Sequence, residues 1–90
     1  MKIGHWQLAC VPRDVERNVN TILSRLGESD ALGLSLVSFP ESFVHGYFSK
    51  EADARRFSWA LNGPELSELL RRTSAIDAMW MAGLNENRNG

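Results

Sequence analysis

The chain has 90 residues, of which 43% are hydrophobic and 23% charged, with a formal net charge of −1. That length suits one small domain at most, and the composition is ordinary for a soluble globular protein. A near-neutral charge gives no electrostatic reason to expect nucleic acid or an anionic membrane, and no apolar run approaches the ~18 residues of a spanning helix.

Residues 2–9 read as a first strand, with Ile3, Trp6 and Leu8 as its apolar members and an imperfect alternation. Pro12 breaks it. Asp14 is placed to cap a helix, with Glu16 favourable in the first turn. Val15, Val19, Ile22, Leu23 and Leu26 follow at helical spacing and form one apolar stripe for packing against a sheet. Either Gly27 ends this helix, or it runs on to Leu32 with Gly33 as a left-handed stop. Leu34, Leu36, Val37 and Phe39 then make a short apolar run, the pattern of a buried strand. Pro40 stops it, because proline has no N–H for a sheet ladder.

Strand, helix and strand in this order predict a right-handed βαβ unit with parallel strands. Glu41 follows Pro40 and so stands at the carboxyl edge of the sheet, where binding groups gather in open α/β folds. It has two readings: a solvated carboxylate favoured by a helix dipole, or a general base held at the sheet's rim. Gly46-Tyr47 allows a turn of unusual backbone shape followed by an aromatic ring, which either lines a pocket or packs.

Residues 49–61 suggest a short helix with Ala52, Ala54, Phe57 and Ala60 on one apolar side, and Trp59 as a packing residue. Asn62-Gly63-Pro64-Glu65 marks another helix start, with proline at the first helical position. Leu66, Leu69, Leu70 and Ile76 form its predicted buried stripe. Residues 79–84 read as a third strand. Residues 85–90 are rich in turn formers, and Asn89-Gly90 is a strong hairpin signal.

Phe39-Pro40-Glu41, four intervening residues, then Gly46-Tyr47 resembles the glutamate motif of the nitrilase (carbon–nitrogen hydrolase) superfamily. The resemblance extends along most of the chain. Gln7 stands where that family's first strand typically carries a glutamine, and the helix start at Gly63-Pro64-Glu65-Leu66 is also similar. Two turns depart from the pattern: Gly33-Leu34-Ser35 replaces the usual Gly-Ala-Asp, and Asp77-Ala78 precedes the third strand where a glycine or asparagine is common.

The resemblance implies an α/β fold, part of an α-β-β-α sandwich, in a family that commonly forms homo-oligomers. It also implies hydrolysis of small-molecule amides, nitriles or carbamoyl compounds by a glutamate, a lysine and a cysteine, with no cofactor. Glu41 maps onto the catalytic glutamate and Tyr47 onto the motif's aromatic, a substrate-binding position. Lys2 and Lys50 do not match the lysine motif. Cys10 follows the first strand, lacks the nucleophile's context, and reads as a small half-buried residue. Residues 1–90 are therefore expected to be the N-terminal part of a single carbon–nitrogen hydrolase domain, incomplete at the C-terminus and inactive alone. The isolated chain is expected to expose an apolar sheet face.

The alternative is a non-catalytic α/β interaction module that assembles with another chain. A nucleotide-binding half-domain is disfavoured, since Cys10-Val11-Pro12-Arg13-Asp14 has no glycine for phosphate approach. His5 and His45 have no cysteine or carboxylate cluster at ligand spacing, so no metal is expected. The Arg55-Arg56 and Arg71-Arg72 pairs read as solvated helix faces. Cys10, the sole cysteine, permits no internal disulfide. His5 and Gln7 interrupt any signal-peptide core, so a cytoplasmic location is the default.

Overall fold

Three short parallel strands, β1 (Ile3–His5), β2 (Leu36–Ser38) and β3 (Met79–Met81), pair side by side in chain order. They belong to a computed structural model that describes residues 1–46, 48 and 50–87. Tyr47 and the Asn89-Gly90 hairpin signal lie outside the described residues. The strands are shorter than the apolar runs that predict them. The β1 ladder ends with the Trp6 N–H bonded to the Ser38 carbonyl at 3.0 Å, because β2 itself stops at Pro40 and leaves nothing further to pair with.

The first helix, α1 (Val15–Ala31), begins as the sequence predicts. Asp14 caps it, its carboxylate accepting the Arg17 N–H. Of the two possible ends, the later one is observed. The helix passes through Gly27 and stops at Leu32, with Gly33 at φ 73°. An internal glycine costs roughly 1 kcal/mol relative to alanine. Ser29, two residues later, is fully buried and well bonded. Its hydroxyl donates to the Arg25 carbonyl (2.7 Å) and accepts from the Trp6 indole N–H (2.8 Å), tying the last turn to β1.

Between β2 and β3 run α2 (Glu51–Arg56) and α3 (Pro64–Arg72). The α2 helix is six residues long and buries none of them; Ala52, expected on an apolar side, is exposed. Its neighbour Trp59 is buried, as expected of a packing residue. The α3 helix starts at Gly63-Pro64 as predicted. Leu69 is buried and Leu66 half-buried, but Leu70 is 55% exposed and does not belong to the stripe. The inward face instead runs from Leu66 through Leu69 to Thr73, at helical spacing. Thr73 is buried because its hydroxyl finds the Leu69 carbonyl at 3.1 Å. Arg55 and Arg71 sit on solvated faces, paired with Glu51 and Glu68. Beyond β3, the expected turn region pairs instead: the Asn87 N–H bonds the Trp59 carbonyl, and Trp59 bridges Glu86.

Right-handed connections that step the same way across a sheet leave their helices on one face. Burial agrees. Val37, central in β2, is fully buried in one core with Val19, Ile22 and Leu26 of α1 and Leu69 of α3. Trp80, level with Val37 on β3, packs against this core, and its ring meets Phe39 edge-on. The opposite face is bare. Ile3 is 66% exposed, Met79 71% and Met81 54%. The apolar sheet face expected to be exposed is therefore seen, with Ile3 on it.

The chain is thus α/β, with two layers among the described residues: helices over one parallel sheet. No second sheet and outer helix layer are present among them. No described helix is long and apolar enough to cross a membrane.

Two leucines test this division of the chain. Leu26→Ala is expected to cost about 2–5 kcal/mol through a lost side chain and its cavity. Leu70→Ala should stay within about 0.5 kcal/mol, as at an ordinary surface position. Urea midpoints of the two variants, compared with the parent chain, check both.

Candidate functional site

Glu41 stands two residues beyond Phe39, whose N–H bonds the Met81 carbonyl at 3.0 Å where β2 leaves the sheet. It lies at the carboxyl end of the central strand, as its position after Pro40 predicts. The residue is exposed. Its carboxylate has no hydrogen-bond partner among the described residues.

The backbone that carries it is much less free. Ser42 adopts φ 54°, a left-handed conformation that costs a non-glycine residue about 1 kcal/mol. One turn closes from the Gly46 N–H to the Ser42 carbonyl at 2.8 Å, and the Val44 N–H reaches the Gly83 carbonyl at 3.1 Å. Residue 83 must be glycine, because a Cβ there would lie 2.5 Å from the Ser42 nitrogen. Gly46 takes φ 104° with the Pro12 Cα 2.9 Å from where its own Cβ would stand. The unusual turn predicted at this glycine is therefore present. Here the loops after β1 and β2 touch.

One buried polar side chain locks these two loops together, and a second ties the loop after β2 to the chain beyond β3. Asn18, 1% exposed, projects from α1. Its amide nitrogen donates to the Val11 carbonyl (2.9 Å) and the Val44 carbonyl (3.0 Å), and its oxygen accepts the Val11 N–H (2.7 Å). One side chain thus bonds three backbone groups of the two loops, of which the Val44 carbonyl is buried.

His45 is the second. The sequence marks it as a loop residue, yet it is fully buried, with Nδ1 accepting the Asn85 N–H at 3.0 Å. Its carbonyl accepts the Arg13 N–H at 3.2 Å. An acceptor role for Nδ1 puts the proton on Nε2, which is buried without a hydrogen-bond acceptor. The ring stands edge-on to Trp59, with centroids 4.9 Å apart.

Neither residue is prominent in the sequence. Asn18 does leave a trace, as a polar residue three positions after Val15 and four before Ile22, on the apolar side of the helix. The burial of His45 depends on Trp59 and Asn85, both distant in sequence, and no local pattern announces it.

Other candidates fall where the residue types allow. Cys10 is half-buried against the core, as expected. His5 lies on the bare sheet face, not in the core, with Nδ1 2.8 Å from the Ser38 hydroxyl and Nε2 3.0 Å from the Gln7 side-chain oxygen. No group of three or more His, Cys, Asp or Glu side chains that could hold a metal occurs among the described residues. Arg13 pairs with Asp53 at 3.1 Å and tethers the loop after β1 to α2; half-exposed pairs of this kind contribute little. No family model matches the chain, and no curated protein matches it.

Burial pushes the His45 pKa down from 6.5 to about 4. The unfolded chain therefore binds this proton at a higher pH than the folded one. Stability should be complete above about pH 6.5 and fall as pH drops from there towards 4, by about 3 kcal/mol in all. His45→Gln, which keeps an acceptor but does not titrate, should flatten the slope in that window. Urea unfolding of both chains across it checks the expectation.

Proposed function

We propose that this chain carries the general base of a carbon–nitrogen hydrolase, Glu41, and that the lysine and cysteine of the reaction come from polypeptide outside these 90 residues. The substrate is a small-molecule amide, nitrile or carbamoyl compound, handled without a cofactor in the cytoplasm by a homo-oligomer. The observation that supports this most is the anchoring of the Glu41 turn. An exposed carboxylate for mere solubility needs no such support. Here the following residues are held from α1, from the β1 loop and from the strand-β3 extension, and Ser42 bears a strained conformation. A base must present its oxygen within about 3 Å of the proton it takes, which demands such fixing.

In that chemistry Glu41 takes the proton of the cysteine thiol. The thiolate attacks the carbonyl or nitrile carbon and the lysine stabilises the developing charge. With an amide, the C–N bond then breaks and the amine leaves with the proton held by Glu41, giving a thioester; with a nitrile, the thioimidate first formed adds water and loses ammonia to give the same thioester. Water hydrolyses the thioester to the acid and restores the thiol. Tyr47, next to Gly46, is the proposed substrate-lining ring. In a polypeptide that joins these residues to the lysine and cysteine, Glu41→Gln should lower kcat by roughly 100-fold or more, as loss of a general base does. The unfolding midpoint should stay put, since the carboxylate has no described partner. Steady-state hydrolysis of a simple amide, with a thermal melt beside it, reads both; full turnover in the variant removes the assignment.

A second function is favoured by a separate observation, the bare apolar sheet face. As an assembly module, the chain would use that face to bind another polypeptide, and catalysis would play no part.

A further inference from the structure

We infer that Ser38, His5 and Gln7 form a second nucleophilic site, on the bare face of the sheet, which takes the acyl group of apolar activated esters. The inference is independent of Glu41 and of the reaction proposed for it.

The pairing of β1 with β2 sets His5 level with Ser38. The imidazole lies between a hydroxyl and an amide. Its Nδ1 is 2.8 Å from the Ser38 hydroxyl and its Nε2 is 3.0 Å from the Gln7 side-chain oxygen. A carboxamide oxygen only accepts, so Nε2 carries the proton and Nδ1 is left to accept the Ser38 O–H. A hydroxyl bonded to a base that a third group orients is the arrangement that activates a serine. Gln7 is the positioning residue in this chain of bonds.

The surroundings select the substrate. His5 and Gln7 are exposed and Ser38 is half-buried, so an ester reaches the hydroxyl from solvent. Met81 stands beside Ser38 in the same row, and Ile3, Leu36 and Met79 make the neighbouring row. None of these side chains is formally charged. They offer an apolar floor to an acyl chain and nothing to an ionic one. The backbone sets a second limit. β2 is paired on both sides, and the Phe39 N–H, next to Ser38, is spent on the Met81 carbonyl. Backbone donors of the kind that hold an oxyanion are committed to the sheet. The site therefore suits esters whose leaving group departs easily, aryl esters and thioesters.

In the reaction, Ser38 Oγ bonds to the acyl carbon as its proton passes to His5 Nδ1. The bond from that carbon to the leaving group breaks, and the alcohol or thiol departs with the proton from His5. The acyl group is now an ester of Ser38. His5 then takes a proton from water, whose oxygen attacks the same carbon. The acid leaves, and the proton returns to Ser38.

Release of p-nitrophenol from p-nitrophenyl butyrate by the 90-residue chain tests this. Hydrolysis through an adduct on Ser38, located by peptide mass mapping, is expected. Ser38→Ala should remove the adduct, and both it and His5→Gln should lower the rate by roughly 100-fold. Gln7→Ala should slow the reaction, and Gln7→Glu, which keeps an oxygen for Nε2, should restore it. Cys10→Ala removes the sole thiol and should leave the rate as it was. None of Ser38, His5 and Gln7 belongs to the core, so far-UV circular dichroism of their variants should match the parent chain. A Ser38→Ala chain that keeps the full rate overturns the inference, because His5 then acts alone. An adduct on Cys10 in place of Ser38 overturns it too, as does a parent chain no faster than free imidazole at equal concentration.

Discussion

The carboxyl end of this sheet depends on the side-chain amide of Asn18. Two loops leave the sheet there, one after β1 and one after β2, and neither has a strand beyond it to bond with. The Val11 N–H and the buried Val44 carbonyl find their partner in a side chain from another element. Asn18 supplies that acceptor and donor from within the apolar stripe of α1. An unpaired buried peptide group costs about 1–3 kcal/mol, so the bond to the buried Val44 carbonyl, with the two to Val11 beside it, offsets the burial of the amide itself. His45 completes the arrangement by drawing the chain beyond β3 against the same turn. A low-dielectric pocket makes each of these bonds stronger and each omission more costly.

Local strain follows from that anchoring. Ser42 holds a left-handed backbone because Phe39 and Val44, on either side, are both tied to the β3 strand and its extension, at Met81 and Gly83. Glu41 sits between the pinned strand and the strained serine. Its carboxylate has no partner among the described residues, while the backbone on both sides of it is held. That combination suits a group that must meet something from outside the chain. The uncovered sheet face says the same thing at a larger scale. With both connections stepping the same way, α1 and α3 pack over one side, and the second face is uncovered among the described residues.

Much of the fold was legible because it is local. Asp14 and Gly33 mark the ends of α1, Gly63-Pro64 marks the start of α3, and Pro40 stops β2; each acts through its own backbone chemistry. The βαβ order followed from the change of apolar period between residues 3 and 39. The strand lengths did not, because a ladder extends only as far as its neighbour does. Leu70 was misplaced for a related reason. Apolar character shows that a residue can be buried, but which face has a partner is a property of the topology. The position of Glu41 was readable from Pro40 alone. The clamp around it was not, since Asn18, His45 and Asn85 meet only after the chain has folded.

The central claim is that buried polar bonds, and not loose surface turns, fix the backbone that presents Glu41. Native-state amide hydrogen exchange measures this directly. The amides of Val11, Val44 and Asn85, which bond Asn18, Gly83 and His45, should be protected as strongly as the buried turns of α1. Exchange of these three at rates near those of an unfolded chain, while α1 stays protected, would contradict it.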